Sequence, residues 1–375
     1  MTARNTPASV ADRMAALADN LREIDAIRSE VVHRAFSNVQ RHLFIPGFYE
    51  NDNAYIKVNG DLSDDLLNKI YSDIALMTHR PHDAAGRPSS ASMPRVVGRM
   101  LEALDLRPGH RVLEIGAGTG YNAALIAAIT EGPVDSVDIS DVIVSEANAS
   151  LQRAGVRNAT AHVADGYLGH PSRGPYDRIV VTCGITGVSP GWLSQLAPNG
   201  MILAPTFHAG FHPTLAITFK ERRGLVGRGV TSSDFMAAGD PLYGPRPQQA
   251  PTDPQLPAVE LTTISDAVPT LVDDAYFDLW FALGVHDHRT TRAYTEDLDP
   301  ALGMVCLHDP TQGTAWVQRD GHIRYTGCQD VAYELLQHVW AWDEAKRPQI
   351  SDWTCQFTLS GANEPIFYPT DWRRR

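Results

Sequence analysis

The alternation of apolar and polar residues predicts an α/β organisation for the middle of the chain. Between residues 111 and 207, short apolar runs typical of buried strands alternate with segments whose apolar residues recur at helical spacing. The predicted strands are residues 111–115, 133–139, 159–165, 176–183 and 201–207, and the predicted helices are residues 121–129, 142–155 and 191–198. Strands that alternate with helices build βαβ units, in which helices cover both faces of a parallel sheet.

The region before this alternation has a different pattern. Residues 8–42 are predicted to be helical, with a break at Pro46 and Gly47. Residues 48–90 form a long polar connection, and long ordered connections often carry function. Another helix begins at Met93, so residues 1–92 are predicted to be an N-terminal helical and active-site segment.

The region after the alternation predicts a second, smaller domain. The α/β domain is predicted to span residues 93–238, because residues 214–230 suit a hairpin that closes its sheet. A proline-rich linker is predicted at residues 239–257. Residues 258–375 are predicted to form an accessory α+β domain. Its predicted helices are residues 273–284 and 330–345.

Composition narrows the class of protein. The chain has 375 residues and a formal net charge of −12, which argues against a DNA or RNA partner because such binding needs a clustered positive surface. The basic run Arg373–Arg375 is interpreted as a solvated end. The four cysteines are too widely spaced for a CxxC motif, and no stretch reaches the roughly 18 apolar residues of a membrane span. Without a predicted signal peptide, we expect a cytoplasmic protein with no membrane partner.

The most informative motif is VLEIGAGTGYNAAL, in which a predicted strand runs into Gly116, Gly118 and Gly120 and then into a helix. Glycines allow the backbone to turn tightly and to approach a ligand closely. A dinucleotide fingerprint would need its third glycine at position 121, which is Tyr121. The spacing here is E-x-G-x-G-x-G with Glu114 at the strand end. It suits S-adenosylmethionine (SAM), a cofactor without a pyrophosphate.

Two acids follow the glycines at the spacing that a nucleoside ligand requires. Asp138 closes the next predicted strand, where a carboxylate can accept hydrogen bonds from both ribose hydroxyls. Asp165 and Gly166 close the third strand, where they are placed to contact the adenine. Either acid alone is equally well explained as a loop or capping residue. Together, behind a glycine loop, they favour a SAM site over a domain that has lost its ligand.

The segments that surround the motif resemble, in the same order, those of the protein-L-isoaspartate O-methyltransferase family. The segments are VQRHLFIPG (39–47), IYSD (70–73), SASMPRVVGRMLEALDLRPGHRVLEIGAGTGYNAALIA (90–127), YDRIVVTCG (176–184) and PGWLSQLAPNGMILAP (190–205). The resemblance covers roughly residues 20–220. It implies a Rossmann-like domain that transfers a methyl group from SAM to a peptide carboxylate and releases S-adenosylhomocysteine.

The resemblance also implies roles for individual residues. The family's Thr-x-Ser-x-Pro active-site pattern falls on Ser90, Ser92 and Pro94, with Ser92 in the place of the family's serine and Ser90 in that of its threonine. The positions that match the family's SAM-binding residues are Glu114, Gly116, Gly118, Asp138 and Asp165. We include Gly120 and Gly166 in the predicted SAM site because they adjoin these positions.

The chain departs from the family pattern in the approach to these serines. Repair enzymes usually have a short glycine-rich approach, whereas here it is the longer, charged MTHRPHDAAGRPSSASMP. With the trailing C-terminal domain, this approach resembles the family branch found beside ribosomally made peptides (lanthipeptides, lasso peptides and graspetides). That branch methylates an Asp of a constrained precursor, and the ester closes to a succinimide (aspartimide) that persists or hydrolyses to isoaspartate. The C-terminal domain would then help to bind the peptide.

Serines suit this chemistry because the acceptor is already a nucleophile. An Asp carboxylate has an ordinary pKa of about 3.9, so no general base has to remove a proton near neutral pH. The remaining task is alignment of the reacting atoms at roughly 3–3.5 Å, which neutral hydroxyl donors can provide. The alternative for residues 89–92 is an N-cap and loop before the helix at Met93. The two interpretations are compatible.

Other residues are weaker candidates. His79, Arg80 and His82, with Ser89, are predicted to meet an acidic peptide, although a solvated loop explains the charged residues equally well. His286 and His288 form an HxH pattern without an identifiable third ligand, so we predict no metal site. The tryptophans predicted to build the core of the second domain are Trp280, Trp340 and Trp342.

Three functions follow from these observations. The first is a SAM-dependent methyltransferase that esterifies an Asp carboxylate of a modified precursor peptide. The second is an isoaspartate repair methyltransferase that acts on damaged proteins. The third is a non-catalytic SAM-sensing or peptide-binding module, and the intact set of predicted site residues argues against it.

Overall fold

Five parallel strands confirm the βαβ alternation predicted for the middle of the chain. In the computed structural model they follow the order β9-β8-β5-β6-β7. The structure describes residues 8–50, 54–58, 62–80, 88–244, 271, 273–294, 303–361 and 363–375. The strands are β5 (Val112–Ile115), β6 (Val134–Asp138), β7 (Ala159–Val163), β8 (Tyr176–Val181) and β9 (Leu196–Pro205).

Helices flank this sheet and bury apolar side chains. They are α4 (Pro94–Ala103), α5 (Tyr121–Thr130), α6 (Asp141–Arg153) and the short α7 (Pro190–Leu193). Helix α5 is apolar on nearly all sides, and Leu125 and Ile126 are fully buried. The predicted α/β, Rossmann-like fold is therefore confirmed. The helix predicted at residues 191–198 is only one turn long, and strand β9 already begins at Leu196. Pro198 contributes to this early end, because a proline disfavours helical conformation in the residue before it.

The N-terminal region adds helices and a small antiparallel sheet of order β2-β1-β3-β4. Its elements are α1 (Val10–Glu23), α2 (Glu30–Asn38), β1 (Gly47–Tyr49), β2 (Tyr55–Lys57), α3 (Asp64–Ile70), β3 (Leu76–His79) and β4 (Ser89–Ala91). The continuous helix predicted at 8–42 is wrong. The chain turns at Asp25, which has a φ of 56°, and the Ser29 side chain accepts a hydrogen bond from the backbone N–H of Val32 to begin α2.

Two units divide the chain. The first comprises Met1–Cys183 and Ser189–Ala204, and the second comprises Gly184–Val188 and Pro205–Arg375. The three domain ranges predicted from the sequence stay predictions. None of the helices in the described part of the chain is both long enough and apolar enough to span a membrane.

The second unit contains antiparallel strands and two helices around its own core. Its elements are β10 (Thr214–Lys220), β11 (Gly224–Thr231), α8 (Asp273–His286), β12 (Thr290–Ala293), β13 (Met304–Asp309), β14 (Gly313–Val317), β15 (Ile323–Gly327), α9 (Gln329–Glu344), β16 (Trp353–Leu359) and β17 (Phe367–Arg374). Its strands follow the orders β17-β16-β11-β10 and β12-β13-β14-β15. Most of the predicted proline-rich linker lies outside the described residues.

Two sequence interpretations change in this unit. Trp280 and Trp342 lie in its core as predicted, but Trp340 is 47% exposed because it occupies the outer face of α9. The basic terminal run is not simply a solvated end. Arg373 and Arg374 belong to β17, where their backbones pair with β16 while their side chains stay exposed.

Candidate active site

The glycine loop, Gly116–Gly120, joins strand β5 to helix α5. Gly116, Gly118 and Gly120 have φ angles of +99°, +49° and +82°, a region that residues with a Cβ rarely adopt. A Cβ at Gly116 would also lie 2.5 Å from the Thr182 hydroxyl oxygen. The loop therefore needs glycine for both backbone conformation and space, as predicted from its spacing.

Asp138 lies at the carboxyl end of β6, beside the glycine loop. One carboxylate oxygen accepts a hydrogen bond from the backbone N–H of Ala117 and the other from that of Ser140, each at 3.1 Å. The side chain is partly exposed, and each oxygen keeps a second lone pair. These free acceptor positions fit the ribose hydroxyls of a nucleoside ligand.

Glu114 has a different environment from Asp138. Its carboxylate is fully buried, where it accepts hydrogen bonds from the Asn122 side chain at 2.7 Å and from the Ser136 hydroxyl at 2.6 Å. Burial raises the pKa of Glu114 to about 7. Because these partners lie on α5 and β6, the Glu114 carboxylate joins β5, α5 and β6 behind the glycine loop. The SAM-binding role of Glu114 stays a prediction, and the structure shows that its carboxylate also connects the elements that carry the loop.

Asp165 and Gly166 follow β7, on the same edge of the sheet as Asp138. The Asp165 side chain is exposed, and one of its oxygens accepts a hydrogen bond from the backbone N–H of Tyr167 at 2.9 Å. The Gly166 carbonyl accepts a hydrogen bond from the indole N–H of Trp192 at 2.8 Å. These two contacts fix the conformation of the turn at Asp165 and Gly166, the residues predicted to contact the adenine.

The serine segment, Ser89–Ser92, lies directly against the glycine loop. A Cβ built on Gly118 would lie 3.6 Å from the Ser90 carbonyl oxygen and 3.8 Å from the Ser89 hydroxyl oxygen. Ser89 and Ser90 belong to strand β4, which pairs with β3. The structure therefore brings together two motifs that are separated by roughly 25 residues in the sequence.

The proposed capping role of these serines is wrong. The N-cap residue of α4 is Met93, and Ser89 and Ser90 lie in a strand rather than in a turn before the helix. Instead, Asp73 accepts a hydrogen bond from the backbone N–H of Arg95 at 2.8 Å and pairs with the Arg95 side chain. A distant carboxylate thus satisfies the helix end, so Ser92 is not needed as its cap.

Arg41 is a buried residue of this region that the sequence analysis did not single out. Its Nη1 donates hydrogen bonds to the carbonyls of Ile70 and Ser72, at 2.7 and 2.9 Å. Its Nη2 donates to the carbonyls of Ile74 and Ser92, at 3.0 and 3.1 Å. Arg41 therefore fixes the backbone of the serine segment relative to the preceding connection. Arg41 lies in VQRHLFIPG, one of the segments that carry the family resemblance, and this position is the sequence feature that could have identified it.

The weaker substrate-binding candidates lie on the neighbouring strand. His79 ends β3 opposite Ser89, and the Arg80 guanidinium carbon lies 5.2 Å from the centre of the Tyr49 ring. His82 lies outside the described residues. His79 and Arg80 are therefore beside the serine segment, whereas their role in binding a substrate stays a prediction.

The HxH histidines of the second unit flank a buried, ion-paired aspartate. His286 and His288 are exposed, and the buried Asp287 between them pairs with Arg289 at 2.6 Å and with His338 at 3.5 Å. This arrangement is an ion-pair network around Asp287. It holds the pKa of Asp287 well below its usual range despite burial, because His338 and Arg289 donate hydrogen bonds to the carboxylate.

The fold and this site define a class. A parallel sheet with a glycine loop after its first strand, and with carboxylates at the ends of the next two, is the arrangement of a Rossmann-like SAM-dependent methyltransferase. The family model described as protein-L-isoaspartate(D-aspartate) O-methyltransferase (PCMT) matches residues 12–239. The chain belongs to this family of SAM-dependent carboxyl O-methyltransferases.

Individual relatives agree with this assignment. A protein-L-isoaspartate O-methyltransferase of Pyrococcus horikoshii is 37% identical over 179 residues, which cover 48% of this chain and 70% of the relative. One of Methanopyrus kandleri is 35% identical over 192 residues, which cover 50% of this chain and 74% of the relative. A solved structure of a protein-L-isoaspartate O-methyltransferase is similar in fold, with a TM-score of 0.53 and 24% identity, and covers 95% of this chain and 99% of its own.

Proposed function

We propose that the protein uses SAM to methylate the free α-carboxylate of an isoaspartyl residue, whose β-carboxyl forms the peptide bond, in a peptide or protein. The observation that carries the proposal is the contact between the serine segment and the glycine loop at Gly118. The backbone of Ser90 and the hydroxyl of Ser89 lie beside the predicted cofactor loop, in the segment that supplies the proposed hydroxyl donors. Membership of the PCMT family supports the reaction type, and the names of the two relatives support the isoaspartyl acceptor.

In the proposed reaction the chain's residues bind and orient rather than exchange protons. When bound, SAM supplies an electrophilic methyl group. Gly116–Gly120 and Asp138 would hold it, because they offer close backbone approach and free carboxylate lone pairs. Asp165 and Gly166 would face the adenine. We assign no general base, since a carboxylate is ionised near neutral pH.

Ser90 and Ser92 would hold the acceptor carboxylate. A hydroxyl that donates to one carboxylate oxygen leaves the other oxygen free to attack the methyl carbon. Neutral donors also avoid the repulsion that an acidic side chain would impose on the substrate. Ser89 and His79, paired across β3 and β4, would contact the flanking peptide.

A modified precursor peptide is the second candidate substrate. The charged approach to Ser92 favours it, because His79 and Arg80 lie beside the serine segment and suit an acidic, constrained peptide. On this alternative, the methyl ester of an Asp is attacked by the next backbone amide, which releases methanol and forms a succinimide. The C-terminal domain does not by itself distinguish the two candidates, since a protein-L-isoaspartate O-methyltransferase structure is similar in fold over 95% of the chain.

One assay separates these functions. The full chain is incubated with SAM and with three matched peptides: a linear isoaspartyl peptide, its aspartyl isomer, and a side-chain-bridged cyclic aspartyl peptide. Mass spectrometry follows methylation and methanol loss, S-adenosylhomocysteine is quantified, and calorimetry measures SAM binding separately. We expect methylation of the isoaspartyl peptide alone.

Other outcomes of the assay contradict the proposal in distinct ways. Methylation confined to the cyclic peptide, followed by methanol loss, would support the precursor substrate instead. SAM binding without methylation of any peptide would support the non-catalytic binding module. A chain that fails to bind SAM would contradict the assignment of the glycine loop itself.

A further inference from the structure

A second polar cluster lies in the first unit, on the face of the sheet opposite Glu114. Ser136 bonds to Glu114, and Asp135, its neighbour in β6, therefore points to the other face. The Asp135 side chain is 1% exposed, and one oxygen lies 3.1 Å from Nε2 of His162 on β7. His170, from the segment between β7 and β8, stacks on His162 with ring centres 4.4 Å apart.

These three side chains have the geometry of metal ligands. One carboxylate oxygen and one ring nitrogen of each histidine lie within 4.8 Å of one another. Ligand atoms bound to one tetrahedral ion at about 2.0–2.2 Å are about 3.4 Å apart, so small side-chain adjustments would bring these atoms to coordination distance. Among the described residues, this is the one such group of histidine, cysteine and acidic side chains.

Asp135 has two further partners in this structure. Arg173 Nε lies 3.2 Å from the same carboxylate oxygen, and the Tyr176 hydroxyl lies 3.4 Å from the other. The Arg173 side chain is 51% exposed, so solvent is available to its guanidinium if an ion displaces it. A buried carboxylate requires a compensating positive charge, and Arg173 provides it in this arrangement. A divalent cation would provide a larger charge at shorter range.

We propose that Asp135, His162 and His170 form a binding site for a divalent transition-metal ion of the Zn²⁺ type, with Arg173 as the cation that the ion displaces. Two imidazoles and one carboxylate are ligands that Zn²⁺ accepts, and a tetrahedral ion keeps a fourth position for water. The ion would join β6 and β7 to the segment that precedes β8. Because that segment begins at Asp165 and Gly166, the ion would stabilise the adenine side of the cofactor site.

Metal titration of the full chain tests this proposal without any methyltransferase assay. Calorimetry with ZnCl₂, and absorption spectroscopy with CoCl₂ as a coloured substitute, are performed in the Cys328→Ser background because Cys328 is an exposed thiol. We expect one ion per chain. His162→Ala and His170→Ala should each weaken binding by about 10-fold to 100-fold or more. Arg173→Gln should tighten binding, because it removes the competing cation.

A matched control distinguishes this site from any histidine–aspartate pair. His33 lies 2.8 Å from Asp19 in an exposed pair. His33→Ala should therefore leave the Zn²⁺ affinity and the Co²⁺ spectrum unchanged. Absence of binding, or equal affinity in the parent, His162→Ala and His170→Ala proteins, would overturn the proposal. If Arg173→Gln bound Zn²⁺ more weakly than the parent protein, the proposal that the ion displaces Arg173 would be wrong.

Discussion

The glycine loop and the serine segment meet in the candidate active site, but they are held in place by different means. The glycine loop is shaped by its own backbone conformations and by side chains close to it in the same sheet, such as Asp138 and Glu114. The serine segment is held by Arg41, a residue 51 positions away from Ser92. One half of the site is therefore locally encoded and the other depends on a distant cation.

This difference separates binding of the cofactor from placement of the acceptor. A change in the glycine loop should affect SAM affinity directly. A change in the support of the serine segment should affect methyl transfer while SAM still binds. The predictions below test this separation in order of decreasing expected effect on methyl transfer.

Gly116→Ala should have the largest effect. The substitution imposes a φ near +99° on alanine and places its Cβ 2.5 Å from the Thr182 hydroxyl oxygen, so the loop must change shape. We expect SAM affinity, measured by calorimetry, to fall by at least about 100-fold, which corresponds to about 3 kcal/mol. Gly109→Ala is the matched control, because Gly109 has a φ of +83° and open space around it. If Gly109→Ala lost as much SAM affinity as Gly116→Ala, the close contact with Thr182 would not be the cause of the loss.

Arg41→Met should have the next largest effect. It removes donors from the carbonyls of Ile70, Ser72, Ile74 and Ser92, of which the Ile70 bond is buried and the others are partly buried. We expect the free energy of unfolding in urea to fall by about 3 kcal/mol, because unsatisfied buried carbonyls are costly. The folded variant should bind SAM with nearly unchanged affinity but methylate slowly.

Arg28→Met is the control for the general effect of replacing an arginine by methionine. Arg28 forms an exposed ion pair with Asp25, so its removal should cost less than about 1 kcal/mol. If Arg41→Met retained full stability and turnover, the proposed non-local support of the serine segment would be wrong.

The contrast between local support of the glycine loop and distant support of the serine segment explains how much of the fold and site could be predicted from the sequence. The βαβ alternation, the glycine loop and the predicted positions of Asp138 and Asp165 were accessible because each depends on spacing within a short stretch. The break between α1 and α2 was missed, because it depends on one positive φ at Asp25 and on a cap at Ser29 rather than on hydrophobic pattern.

Features that depend on pairing across the sequence could not be predicted. Arg41 reaches carbonyls about 30 to 50 residues away, and no periodicity in the sequence signals such contacts. The cluster of Asp135, His162 and His170 is likewise created by the register of β6 and β7. The HxH pattern in the sequence instead points to His286 and His288, which flank the ion-paired Asp287.

Ser92→Ala should have an intermediate effect. If the Ser92 hydroxyl holds the acceptor carboxylate, its removal should slow methyl transfer by about 10-fold to 100-fold, the range for a hydrogen bond to a charged group. SAM affinity should change by less than about twofold. Ser194→Ala, which removes an exposed hydroxyl bonded to the Gly191 carbonyl, should leave both quantities unchanged. Lost SAM binding in Ser92→Ala would show that the residue belongs to the cofactor site.

Glu114→Gln should have the smallest effect on methyl transfer but a distinct effect on the pH dependence of stability. Burial raises the pKa of Glu114 from an ordinary 4.5 to about 7, so between these values the folded state binds more protons than the unfolded state. The contribution of this group to stability therefore decreases as pH rises from about 4.5 through about 7. Glutamine is nearly isosteric and does not ionise, so it should remove this decrease while it keeps hydrogen bonds to Asn122 and Ser136. Urea unfolding across this pH range measures the difference. If Glu114→Gln left the pH dependence of the free energy of unfolding unchanged, Glu114 would ionise at its ordinary pKa. The carboxylate that supports the glycine loop would then be charged at neutral pH.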